Sequence, residues 1–105
     1  MRMHRNEWKR ASQEPVEGLR FYHPSDLDAA VALLLQERNL PDRETARAVL
    51  RRWWRQIDRS IYSYQADGQL VGLATVSSDG DSPQVMDVVV REIYDTAFVN
   101  ALREL

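Results

Sequence analysis

The sequence contains no cysteine in its 105 residues. That excludes a disulfide framework, a thiolate zinc site and a cysteine nucleophile. Lysine is nearly absent too. Thirteen of the fourteen basic residues are arginine, a bias that suggests a GC-rich bacterial genome as much as any function. Histidine occurs only at His4 and His23, too far apart for a local metal-ligand pair, so no metal site is expected. Long apolar runs are missing. The longest, Ala29 to Leu35, holds seven residues, against the roughly 20 needed to span a bilayer. The first ten residues, MRMHRNEWKR, carry charge but no apolar segment of the kind a signal peptide needs. The expectation is a cytoplasmic protein with no membrane partner.

What is present has ordinary globular character, 44% hydrophobic and 29% charged, enough for one core without staples. Residues 1–17 read as a polar N-terminal arm with Trp8 as its one apolar anchor, and residues 18–105 as a single domain. The net charge of −2 offers a polyanion no general attraction, but the charge is unevenly placed. Between Arg43 and Arg59 six arginines face Glu44 and Asp58, a local +4; from Ser60 to Leu105 two arginines face seven acids, a local −5. One such face can pair with the other, within a chain or between copies.

Leu19–His23 is a strand candidate closed by Pro24. Ser25 reads as the cap of a first helix, whose stripe is Leu27, Ala30, Val31, Leu34 and Leu35. Asp42 caps a second helix, expected to run to about Arg59. Its apolar face is Ala46, Val49, Leu50, Trp53 and Ile57. Strands follow at Ser60–Gln65 and Gln69–Ser77. Asp67-Gly68 between them is a strong hairpin signal, because a type I′ turn requires positive φ at both central residues. Residues 78–83 form a turn cluster. Gln84–Val90 is a further strand, and its unbroken Val88-Val89-Val90 run suggests a position covered on both faces. Asp95–Leu105 places Ala97, Phe98, Ala101, Leu102 and Leu105 on one helical face. The order is β-α-α-β-β-β-α. The fold class is α+β: a mostly antiparallel sheet, a helical hairpin on one face and a short terminal helix.

This order, with Leu19–Asp28, Tyr64–Ala74 and Met86–Tyr94 as its local pieces, resembles the N-terminal half of the GNAT (GCN5-related) N-acetyltransferase superfamily. The resemblance implies an acetyltransferase-like but truncated sheet. It also implies that main-chain groups of Asp87, Val88, Val89 and Val90 match those that meet a pantetheine arm. The family's glycine-rich diphosphate loop should follow the fourth strand. Glycine permits close approach of backbone N–H groups to phosphate at a helix N-terminus. Here the stretch is Asp95-Thr96-Ala97-Phe98-Val99-Asn100, without glycine or arginine, and Asp95 places negative charge where a diphosphate would lie. No catalytic residue is assigned, and no cofactor is expected. Acetyl-CoA enters only under the alternative of an acetyltransferase completed by oligomerisation.

The sharpest pattern is Arg43, Arg47, Arg51, Arg55 and Arg59 at four-residue spacing, a candidate face for an anion or an acidic protein partner. Net acidity and the lack of a basic loop argue against nucleic acid. Trp53 and Trp54 diverge by about 100° on a helix, so only one faces the core. Trp53 continues the apolar stripe, which leaves Trp54 for a ligand or subunit contact. Tyr62 and Tyr64 share one face of a strand and are read as lining a cleft against the helices or packing in the core. Asp79, Asp81 and Ser82 lack the length of a calcium loop. The expected function is a non-catalytic binding or interaction protein, homodimeric either through pairing of the otherwise open Gln84–Val90 edge or through packing of the terminal helix and Trp54 across a two-fold axis.

Overall fold

A computed structural model describes residues 18–77 and 82–105. The proposed arm at 1–17, with His4 and Trp8, lies outside the described residues, as do Asp79 and Asp81 of the turn cluster. The elements are β1 (Gly18–Phe21), a 3-10 turn (Pro24–Asp26), α1 (Leu27–Glu37), α2 (Arg43–Arg55), β2 (Arg59–Ala66), β3 (Gln69–Ser77), β4 (Gln84–Val90), a second 3-10 turn (Glu92–Tyr94) and α3 (Asp95–Arg103). The four strands form one antiparallel sheet in the order β1-β2-β3-β4. The α+β class and the element order are as the sequence predicts.

The sheet is covered on both faces. On one side Val31, Leu34, Leu50 and Trp53 of the α1–α2 hairpin pack on Ile61, Leu70, Leu73 and Val89. On the other, Phe98 and Leu102 of α3 pack on Ala74 and Val76, flanked by Leu19, Tyr62, Tyr64 and Val90. Alternation along β2 produces this division, since neighbouring side chains of a strand point to opposite faces. As an interior strand, β3 is buried from Leu70 to Ser77.

Local chemistry sets the ends. Asp67 and Gly68 adopt φ of 54° and 73°, as the hairpin turn demands. Asp42 caps α2 by accepting from the Thr45 backbone N–H at 2.8 Å. Three local expectations are corrected. Ser25 caps no helix: His23 caps the 3-10 turn, its imidazole accepting from the Ser25 N–H while the Asp26 carboxylate accepts from the His23 N–H, and α1 starts after Asp26 without a side-chain cap. Pro24 at the first position of the turn gives up no needed donor. The second helix ends at Arg55, four residues early, because Gln56 turns extended and Arg59 is already paired with Ser77 in the sheet. Ile57 therefore leaves the helical face and is fully exposed. The Val88-Val89-Val90 run is not covered on both faces throughout. β4 is an edge strand, with Val89 buried against the hairpin and Val88 39% exposed.

Candidate functional site

The arginine row divides between two elements. Arg43, Arg47, Arg51 and Arg55 lie on α2, whereas Arg59 begins β2 and pairs with Asp87 of β4 at 3.5 Å. That contact joins the basic stretch to the acidic half of the chain. Arg43 reaches Asp28 of α1 at 3.6 Å, and Arg47 reaches Glu44 at 3.0 Å. These exposed pairs hold the row together weakly.

Trp53 is buried and Trp54 is 58% exposed, the division the helical angle predicts. Arg47, Leu50, Arg51 and Trp54 share one face of α2, spaced by three and four residues. Opposite them stand Tyr22, Pro24 and Leu27, from the strand exit and the start of α1. Together they line an open hollow of about 330 Å³. The Trp54 and Tyr22 rings meet edge to face, their centroids 5.9 Å apart. Burial, and then the nearby Asp26 carboxylate, push the Tyr22 hydroxyl above its ordinary pKa of 10.0. It stays a neutral donor throughout the physiological range. Asp26 is itself held by Arg20 at 2.9 Å. A second hollow of about 350 Å³ opens between the end of α2 and the start of β2, with Trp54, Ile57 and Ser60 among its walls.

Tyr62 and Tyr64 stand on the other face of the sheet. Tyr62 stacks on Phe21 at 4.8 Å, and Tyr64 on Phe98 at 5.2 Å. They pack beneath α3, not against the hairpin, and so share no cleft with Trp54. The β4 residues divide as well. The Asp87 carboxylate turns inward, accepting from the Thr75 hydroxyl at 2.8 Å. Val88 lines a shallow groove with Val85, Val99 and Leu102 beside the end of α3. The sequence candidates thus occupy three separate places. The Tyr22 wall was missed because no local signal marks it; His23-Pro24 shows a turn, but not what the turn faces.

The exit from β4 is closely tied. The Arg91 N–H donates to the Val71 carbonyl at 3.0 Å, the Tyr94 N–H to Arg91 at 2.9 Å, and the Asp95 N–H to Glu92. The Tyr94 hydroxyl donates to the Asp67 carboxylate at 2.5 Å. Asp95 opens α3 with a negative charge on the first turn. Among the described residues no group of three or more His, Asp or Glu side chains is placed to hold a metal, and no helix is long and apolar enough to cross a membrane.

No protein-family model matches the sequence, and no curated protein does. Among solved structures, a GNAT family acetyltransferase from Staphylococcus aureus subsp. aureus USA300_TCH1516 is similar, with a TM-score of 0.61 and 11% identity over 82% of this chain and 74% of that one. At that identity the likeness is one of architecture: the chain has an acetyltransferase-like α+β fold.

Proposed function

We propose that this protein acts by recognition and not by acyl transfer: a non-catalytic binding protein on an acetyltransferase-like scaffold, working as a homodimer paired along β4. The observation that carries the reading is the exit from β4. A diphosphate is gripped by free backbone N–H groups at a helix start. Here the N–H groups of Arg91, Tyr94 and Asp95 already have carbonyl partners, and the Asp95 carboxylate repels an anion.

The open edge supports the pairing. Among the described residues nothing pairs with the outer side of β4, and Val85, Met86 and Val88 are exposed along it. Proteins usually guard such an edge with lysine, proline or a bulge. β4 has neither lysine nor proline, and its one charge, Asp87, is turned inward to Thr75 and Arg59. The single protective device is a bulge at Met86, which the Thr75↔Asp87 and Val76↔Val85 pairs leave unpaired. Two copies can meet antiparallel across a two-fold axis without bringing like charges together.

One finding favours a second reading, an acetyl-CoA-dependent N-acetyltransferase whose site is completed by oligomerisation: the structural likeness to an acetyltransferase. Calorimetry with acetyl-CoA separates the two. Recognition without transfer expects no saturable heat, and micromolar binding reverses the assignment.

A further inference from the structure

We propose that the hollow between Tyr22 and Trp54 is a binding site for a small carboxylate with an apolar, single-ring body. This site is distinct from the β4 edge and does not depend on whether the chain dimerises.

Three observations carry it. The first is size and character. At about 330 Å³ the hollow lies at the small end of ligand pockets. Pro24, Leu27, Leu50 and the two aromatic rings give it apolar walls. A largely exposed indole, set edge-to-face with the Tyr22 ring, leaves aromatic surface on which a flat ring can pack.

The second is charge. Arg47 is engaged by Glu44, whereas Arg51 makes no ion pair or hydrogen bond among the described residues. It lies between Arg47 and Arg55 at four-residue spacing, so its neighbours repel it. An anion on the Arg51 guanidinium relieves that repulsion. The guanidinium fork matches a carboxylate in two parallel hydrogen bonds. One uncommitted guanidinium beside apolar walls suits one negative charge. A phosphate dianion would leave the second charge uncompensated. Asp26, whose charge reaches Tyr22, is paired with Arg20 at 2.9 Å, which reduces its repulsion of a bound anion.

The third is a donor. Tyr22 lines the same hollow and its hydroxyl stays protonated, which makes it the candidate donor to a carboxylate oxygen that Arg51 does not take.

The test is calorimetry on the full chain with three probes: phenylpropionate, its neutral amide, and propionate. Phenylpropionate is expected to bind saturably. The amide, lacking the charge, and propionate, lacking the ring, are each expected to bind about tenfold more weakly. Arg51→Gln is expected to weaken phenylpropionate binding about tenfold, with Arg51→Lys recovering only part. Arg52→Gln removes the same charge from the same helix outside the hollow and is expected to leave binding unchanged. Circular dichroism of both exposed-site variants checks that the fold is kept. The proposal fails if phenylpropionate does not saturate, if the amide binds equally well, or if Arg52→Gln weakens binding as much as Arg51→Gln.

Discussion

The Tyr94 hydroxyl reaches across to the Asp67 carboxylate at 2.5 Å, tying the turn after β4 to the turn between β2 and β3. The two residues are 27 positions apart in sequence, one in the β2–β3 hairpin turn and the other in the turn that follows β4. The tie adds to the Glu92–Tyr94 turn, whose own hydrogen bonds occupy the Tyr94 and Asp95 N–H groups. Removing the hydroxyl with Tyr94→Phe is expected to lower stability by about 1 kcal/mol. Urea unfolding of Tyr94→Phe, Asp67→Asn and the double variant measures it. A double variant no worse than either single one confirms the pair; additive losses show that the two residues act separately.

Gly72 meets α3 without a side chain. A Cβ there would come within 2.9 Å of the Phe98 ring, which is fully buried and also stacks on Tyr64. Gly72→Ala is therefore expected to cost about 1–3 kcal/mol by overpacking. Combined with the smaller ring space of Phe98→Leu, the same substitution should cost less than the sum of the two. Equal costs in both backgrounds would mean that Phe98 yields freely.

Asp42 sets an acid limit on the hairpin. Hydrogen bonds from the Thr45 backbone and hydroxyl lower its pKa from the ordinary 3.8. The folded form thus prefers the charged carboxylate. Its contribution is complete above the unfolded value and is lost as pH falls through the lower folded value. Between neutral pH and that window, Asp42→Ala is expected to destabilise α2. Well below it, wild type and variant should converge, as followed by far-ultraviolet circular dichroism during acid titration.

Much of this was legible in the sequence. Asp67-Gly68 and Asp42 announce their turn and cap through chemistry confined to a few residues. The Trp53–Trp54 division follows from helical angle alone. What was hidden depends on partners far along the chain. Ile57 continues the helical spacing of α2, yet pairing of Arg59 with Ser77 draws the chain into the sheet first. Val88 and Val90 read as interior because they flank Val89, but an edge strand has cover for only part of its length. Tyr62 and Tyr64 share a face, as alternation requires. Which face it was depended on where α3 returned. The Tyr22–Trp54 hollow joins a strand exit to a helix 32 positions later, with no spacing rule to mark it.

The edge of β4 provides a direct check on assembly. Val88→Lys places a charge on the exposed strand. Sedimentation velocity at micromolar concentration is expected to show a dimer for the wild type and a folded monomer for Val88→Lys. A wild-type monomer would remove the pairing.

The central claim, recognition without transfer, rests on the Arg91, Tyr94 and Asp95 N–H groups being already partnered and on the negative charge of Asp95 at the start of α3. Amide NMR of the protein titrated with coenzyme A tests it most directly. The account expects the Tyr94, Asp95, Thr96 and Ala97 resonances to stay in place at saturating coenzyme. Progressive, saturable shifts confined to those four amides would contradict it.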